Sequence, residues 1–305
     1  MECSSGGKSK IGLSVILPAF NEEAAIGQTL EALRNSLLSM FDENDFEIIL
    51  VDDGSTDRTA ENAFAVSGVQ VIRRPKNLGY GAAIKAGVRH AKFDWIFLMD
   101  ADGQHTPEFI NDFYQSIEEG YDMAIGARQK ESHTLWHREP GKQLLKLVAN
   151  FLSDEKIPDL NSGMRIFNKR IFTKYEPLYP NGFSITTTMT LAFIGDGYAV
   201  KFIPITTLSR VGRKSNVKII RDGLNVMILI LRTISLFNPL RIFLPAGSLL
   251  TIVGVAYSIN NIILYSRPSR TAIILIIVGV LIFFFGVLAD QIALLRKQRD
   301  NNRLG

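Results

Sequence analysis

The chain has 305 residues and a net charge of +4, and with 47% hydrophobic residues it is long and apolar enough for two domains with a sizeable core. Its single cysteine, Cys3, excludes an intramolecular disulfide framework. The first ten residues are polar, with no apolar signal region, so we expect the N-terminal part to lie in a reducing, cytosolic compartment.

Short apolar strands alternate with amphipathic segments in the first half of the chain. Strands are predicted at LSVILPAF, FEIILVDD, VQVIRRP, DWIFLMDAD and DMAIGAR. After the first strand, Asn21 is predicted to cap a helix with Glu22 and Glu23 in its first turn. The apolar face of this helix recurs at helical spacing, at Ile26, Leu30, Leu33 and Leu37. The alternation predicts an α/β fold with a mostly parallel sheet flanked by helices.

Carboxylates follow two of the predicted strands, as Asp52 and Asp53 and as Asp100 and Asp102. One such cluster is typical of a solvated turn. Several clusters at the carboxyl edge of a parallel sheet indicate a ligand site instead. Asp100 and Asp102, separated only by Ala101, can approach one divalent cation, and oxygen ligands suit Mg²⁺ or Mn²⁺ bound to a substrate diphosphate.

Six motifs occur along this region: PAFNE (18–22), VDDGSTD (51–57), NLGYGAAIKAG (77–87), DADGQ (100–104), GAR (126–128) and DLNSGMR (159–165). In order and spacing they resemble family 2 glycosyltransferases. More narrowly, the chain resembles the dolichol-phosphate mannose synthases and the polyprenyl-phosphate (bactoprenol) glucosyltransferases. The resemblance covers about residues 11 to 215 and implies a GT-A fold.

The resemblance also implies roles for individual residues. Nucleotide-sugar binding is expected at Pro18, Phe20, Glu22, Asp52, Asp53, Asp100, Ala101 and Arg128. The expected metal ligands are Asp102, Gln104 and Asp100, and the expected catalytic residues are Asp159, Asp102 and Arg128. The acceptor phosphate is expected at Arg138, Arg165, Arg210, Arg213 and Lys214. Asp159 acts either as a base or as a residue that orients other groups of the site. A strong base is not required, because a phosphate monoester is already largely ionised at neutral pH.

Some of these residues have simpler interpretations. Asp52 and Asp53 can form a turn and a helix cap with Thr56 and Asp57. The glycines of the third motif lack the GxGxxG order and can serve close helix packing instead of ligand contact. The basic residues at 210–214 can belong to a general belt of charge beside a membrane.

Two stretches without charged residues, 242–265 and 271–289, are each long enough to cross a bilayer as a helix. From Lys201 to Arg241 there are eight basic residues and one acidic residue, a belt that anionic lipid headgroups would attract. A nucleic-acid surface is the competing interpretation, but no recognition motif accompanies the belt, so no nucleic-acid partner is expected.

The predicted organisation has five segments. A flexible N-terminus at 1–10 precedes a catalytic domain at 11–215 and an interfacial amphipathic helix region at 216–238, for which a helix packed on the sheet domain is the alternative. Two transmembrane helices follow within 239–295, at about 242–265 and 271–292, and a basic tail occupies 296–305. The positive-inside rule places the catalytic domain and the C-terminus in the cytosol, although Arg267 and Arg270 in the short loop then face outward.

The expected function is inverting, metal-dependent transfer of one sugar, glucose or mannose, from a UDP- or GDP-linked donor to polyprenyl phosphate at the membrane. A processive polysaccharide synthase is one alternative, but such enzymes usually carry a QxxRW motif, and neither tryptophan, Trp95 or Trp136, lies in that context. A catalytically silent membrane scaffold is the other. A homo-oligomer is left open.

Overall fold

A computed structural model describes residues 11–128, 157–207, 239–267 and 269–301. The chain divides into two compact units. The first contains the described residues up to 207, and the second contains those from 239 onward.

The first unit is built on a seven-stranded sheet with the strand order β3-β2-β1-β4-β6-β5-β7. The strands are β1 Leu13–Ala19, β2 Phe46–Asp52, β3 Val69–Arg73, β4 Trp95–Leu98, β5 Met123–Arg128, β6 Arg165–Asn168 and β7 Val200–Ile205. All five predicted strands are present, and β6 and β7 are additional. The predicted α/β class with a mostly parallel sheet is therefore confirmed.

Strand β6 is the exception to the parallel arrangement, because it pairs antiparallel with both β4 and β5. Its first residue, Arg165, lies opposite Leu98 of β4 and Ile125 of β5. A reversed strand begins at the edge where its neighbours end. The segment that leads into β6 therefore reaches the same sheet edge as Asp100, which follows β4, and Arg128, which ends β5.

Helices cover the sheet, and one begins later than predicted. Their bounds in the first unit are α1 Ile26–Met40, α2 Thr59–Phe64, α3 Tyr80–His90, α4 Ile110–Glu118, α5 Lys169–Tyr175 and α6 Ile185–Gly195. The prediction that Asn21 caps α1 is wrong: Asn21 has a positive φ of 56°, and its side chain accepts a hydrogen bond from the Thr56 amide. The predicted apolar face of α1 is confirmed, because Ile26, Leu30, Leu33 and Leu37 are all buried.

Two glycines of α3 allow close packing. A Cβ on Gly87 would lie 2.5 Å from Cγ2 of Ile16, and a Cβ on Gly81 would lie 2.3 Å from the Pro180 carbonyl oxygen. Both distances are too short for any other residue without displacement of the neighbour. The close-packing interpretation of these glycines is confirmed.

The second unit is a helical hairpin of α7 (Leu240–Tyr265) and α8 (Arg270–Asn301). Both helices are long and apolar enough to cross a membrane, over Phe243–Tyr265 and Arg270–Leu295. Glycines bring them together: a Cβ on Gly247 would lie 2.8 Å from the Gly279 carbonyl oxygen. Small residues allow such contacts between helices in lipid. Helix α8 continues through the start of the predicted tail, and the predicted interfacial helix at 216–238 lies outside the described residues.

Candidate active site

The first two motifs form one surface at the carboxyl edge of the sheet. The Asn21 amide donates to the Ser55 hydroxyl at 2.9 Å, and the Glu22 amide donates to the Thr59 hydroxyl at 2.8 Å. Pro18 is buried in β1, and Phe20 is half-buried just beyond it. These bonds hold the PAFNE loop beside the VDDGSTD loop, although the two motifs are distant in sequence.

Asp52 and Asp53 are both buried. One Asp52 oxygen accepts from the Ser55 amide at 2.9 Å, while the other lies 3.6 Å from Nε of Arg73. Asp53 accepts from Nη1 of Arg74 at 2.8 Å, and also from the main-chain amides of residues 78 and 79. Both carboxylates thus hold loops in place, although through partners other than the Thr56 and Asp57 of the simpler interpretation. Their contact with a nucleoside stays a prediction.

The Asp100 carboxylate is fixed from two sides. One oxygen accepts from the Tyr80 hydroxyl at 2.6 Å, and the other lies 3.8 Å from Nε2 of His105. Burial by itself would raise the pKa of Asp100, but the nearby His105, the Tyr80 hydroxyl and the charge of Arg165 hold that pKa below its ordinary value. Asp100 is therefore an anion at neutral pH. Ala101, next to it, is buried.

Asp102 and Gln104 lie on the turn that follows β4. The Gln104 amide donates to Asp102 at 3.1 Å, and Gly103 between them has a positive φ of 72°. Over the described ranges, no group of three His, Cys, Asp or Glu side chains is placed to hold a metal ion. Mg²⁺ and Mn²⁺ do not require such a group, because one or two carboxylates with substrate phosphates and water complete their coordination. The donor set at Asp100, Asp102 and Gln104 fits such an ion.

Arg128 and Asp159 form a bidentate ion pair. Nε of Arg128 lies 2.7 Å from one Asp159 oxygen, and Nη2 lies 3.2 Å from the other. The Asn161 amide also donates to Asp159, whose side chain is only 3% exposed, whereas that of Arg128 is 24% exposed. Asp159 therefore orients Arg128, which keeps a solvent-facing surface.

Arg165 is fully buried, and its side chain forms hydrogen bonds inside the protein. Its guanidinium donates to the Ser162 carbonyl, to the Thr186 carbonyl at 3.0 Å and to the Thr190 hydroxyl at 3.2 Å. Burial lowers the pKa of Arg165 to about 10, so the side chain is still charged at neutral pH. This geometry does not support the predicted contact of Arg165 with an acceptor phosphate, because its donors are used inside the protein. The other predicted acceptor contacts lie outside the described residues: Arg138, Arg210, Arg213 and Lys214.

Tyr80, which was not among the predicted site residues, joins the third and fourth motifs. Its hydroxyl contacts Asp100 from the first turn of α3, 20 residues earlier in the chain. Burial and the charge of Asp100 raise the pKa of Tyr80 well above its ordinary value, so the hydroxyl remains a donor. The available signal was an aromatic residue flanked by two glycines at a helix start.

The fold and the acidic edge define a GT-A type of α/β protein, and comparison with known proteins places the chain within that class. The family model described as "Glycosyl transferase family 2" matches residues 14–176, and a model described as "GtrB C-terminal hairpin" matches residues 238–295. The chain belongs to glycosyl transferase family 2 and is a glycosyltransferase. Its C-terminal hairpin associates it with membranes.

Over the aligned residues, three relatives are each about a third identical to the chain. An uncharacterized protein of Methanocaldococcus jannaschii is 32% identical, over 66% of this chain and 83% of its own length. A dolichol-phosphate mannosyltransferase of Pyrococcus furiosus is 32% identical over 68% of this chain, and an undecaprenyl-phosphate 4-deoxy-4-formamido-L-arabinose transferase of Proteus mirabilis is 32% identical over 52%. The chain spans 59% and 49% of these last two relatives.

Solved structures agree on the fold. Glucosyl-3-phosphoglycerate synthase of Mycobacterium tuberculosis, in complex with Mn²⁺, uridine diphosphate and phosphoglyceric acid, superposes with a TM-score of 0.57. That alignment covers 74% of this chain and 78% of the synthase at 20% sequence identity. At this identity the likeness extends to the fold alone.

Proposed function

We propose that the protein transfers one sugar, glucose or mannose, from a UDP- or GDP-linked donor to polyprenyl phosphate, with inversion at the anomeric carbon and with Mg²⁺ or Mn²⁺ bound. The observation that carries this proposal is the convergence of two motifs. Gly163 of the DLNSGMR motif lies so close to Asp100 that a Cβ at residue 163 would overlap the Asp100 carboxylate. The loop that holds Arg128 in place thus adjoins Asp100 and Asp102, the acidic pair at the sheet edge.

The donor diphosphate is assigned to the acidic pair and to Arg128. Asp102, with Asp100 and Gln104, would hold the divalent ion, whose positive charge stabilises a leaving diphosphate when bound. Arg128 presents a guanidinium, partly exposed and oriented by Asp159, that can donate to a diphosphate oxygen. The nucleoside is assigned to the joined surface of the first two motifs, at Pro18, Phe20, Glu22, Asp52 and Asp53.

The transfer is a single displacement. An oxygen of the acceptor phosphate attacks the anomeric carbon, and the bond from that carbon to the donor diphosphate breaks, with the electron pair leaving on the diphosphate. A phosphate monoester is mostly ionised at neutral pH and needs no strong base. We therefore assign Asp159 the role of positioner, which agrees with its two bonds to Arg128.

Polyprenyl phosphate is proposed as the acceptor because two kinds of observation agree. Relatives of the chain are named as dolichol-phosphate and undecaprenyl-phosphate transferases. In addition, α7 and α8 are long and apolar enough to anchor the chain in the bilayer that contains such lipids.

The proposal is tested by incubating the full chain in detergent with UDP-glucose or GDP-mannose and a short polyprenyl phosphate. We expect one lipid product that contains a single sugar. A polymer would indicate a processive synthase, and no product with any donor would favour a silent scaffold. Either outcome would contradict the proposal.

Removal of divalent ions is expected to stop transfer. Because the acidic pair would otherwise repel the donor diphosphate, excess chelator should lower the rate by about a hundredfold or more, and added Mn²⁺ or Mg²⁺ should restore it. Full turnover in chelator would show that the metal assignment is wrong. The thermal unfolding temperature, measured in parallel, serves as the control for loss of structure.

Both ends of the hairpin are proposed to face the cytosol, where nucleotide sugars are available. A reporter fused after Gly305 and active only in the cytosol should therefore give signal in intact cells. The control is the same reporter inserted between α7 and α8, which should be silent. Signal from the C-terminal fusion only outside the cytosol would overturn this orientation.

A further inference from the structure

Phe183 is an aromatic residue exposed to solvent, and the segment that carries it, residues 179–183, is held by hydrogen bonds. Its side chain is 80% exposed, although it precedes a helix whose first three turns are mostly buried. One face of its ring stacks on Tyr80, with ring centroids 5.1 Å apart and an interplanar angle of 18°. The other face is exposed apolar surface, available for contact with a ligand.

Main-chain and side-chain hydrogen bonds hold the segment at residues 179–183. The Asn181 carbonyl accepts from the amides of Gly81 and Ala82, at 2.7 and 3.2 Å, and so satisfies donors at the start of α3. Nζ of Lys85 donates to the Asn181 side chain and, at 3.1 Å, to the Tyr179 carbonyl. The turn that carries Phe183 therefore has little freedom, and its aromatic ring is preorganised.

The position of this ring relative to the reaction is set by Tyr80. The Tyr80 hydroxyl lies 2.6 Å from the Asp100 carboxylate, so one tyrosine side chain separates the Phe183 ring from the acidic pair. In the function proposed above, the sugar extends from the diphosphate held at that pair. A hexose has one face made mostly of C–H groups, and an aromatic ring covers such a face by apolar contact.

We propose that Phe183, supported by Tyr80, contacts the donor sugar and contributes to the choice of sugar. This inference rests on the proposed function, since it requires a nucleotide sugar at the acidic pair. It assigns the ring to the sugar and not to the nucleoside or to the lipid. The sugar recognised is a hexose whose C–H face is free of axial hydroxyls on the side of the ring.

The test measures binding to the full chain by calorimetry with Mn²⁺ present, using UDP-glucose, UDP, GDP-mannose and GDP. For the preferred donor, Phe183→Ala should weaken binding of the nucleotide sugar roughly tenfold and change binding of its nucleoside diphosphate by less than about twofold. Phe183→Tyr should restore most of the difference, because it keeps the ring. Phe64→Ala is the matched control, since Phe64 is 63% exposed on α2, and it should change neither affinity.

Three results would overturn the inference. Equal weakening of the nucleotide sugar and the nucleoside diphosphate would indicate a general structural role. Unchanged donor binding with a raised KM for polyprenyl phosphate would place the ring on the acceptor. Failure of the wild-type chain to bind any of the four nucleotides would refute the proposed function and the inference together, whereas the first two results leave the proposed function intact.

Discussion

Replacement of Asp102 by asparagine is expected to reduce sugar transfer by about a hundredfold or more while the protein stays folded. The substitution keeps the shape of the side chain and the acceptor for the Gln104 amide, but it removes the negative charge that would hold a divalent ion. The rate is measured with saturating donor and lipid. Unfolding is followed by near-UV circular dichroism on the same sample.

The matched control for this variant is Asp94→Asn. Asp94 is also an aspartate near a β4 terminus, but its side chain is 56% exposed and its partner is Arg170 on the surface. Exposed ion pairs contribute little to stability, so this variant should behave as wild type. An Asp102→Asn protein with normal transfer, or one whose thermal stability falls in proportion to its activity, would contradict the assignment.

Replacement of Arg165 by methionine is expected to destabilise the protein by about 3 kcal/mol. Methionine fills a similar space but leaves the buried Ser162 carbonyl without its donor, and it also removes the guanidinium bonds to the Thr186 carbonyl and the Thr190 hydroxyl. For a domain of this size, the thermal midpoint should fall by about 10 °C. Thermal unfolding in detergent measures the change.

The control is Arg170→Met, because the side chain of Arg170 is 76% exposed and pairs with Asp94 at the surface. Its midpoint should shift by about 1 °C or less. If Arg165→Met kept its thermal midpoint and raised only the KM for the lipid, the role inferred from burial would be wrong. The acceptor-phosphate role predicted from the family resemblance would then be restored.

The sheet was largely predictable because its central strands, β1, β2 and β4, are mostly buried. Strands such as β2 contain continuous apolar runs, and such a run can be recognised from the sequence alone. Strands β6 and β7 were missed for the opposite reason. β6 has four residues and starts with Arg165, and β7 contains Lys201 and Pro204, so neither shows an apolar run.

The candidate site was predictable in its residue types but not in its contacts. The aspartates after β2 and β4 follow from strand ends and motif spacing. The start of α1 does not, because Asn21 bonds to Ser55 and Thr56, which approach it only in the folded chain. The burial of Arg165 is equally invisible in sequence, since carbonyl groups from two separate elements create its environment.

Because β6 runs antiparallel to β5, the chain leaves the sheet and returns to it at the same edge. It departs at Arg128 and re-enters at Arg165, and Arg128 meets Asp159, 31 positions later, in a bidentate ion pair. Loop closure becomes only slightly less favourable as a loop grows, by about 0.6 kcal/mol for each doubling of its length. The stretch between these anchor points can thus vary in length and sequence without altering any crossover of the sheet.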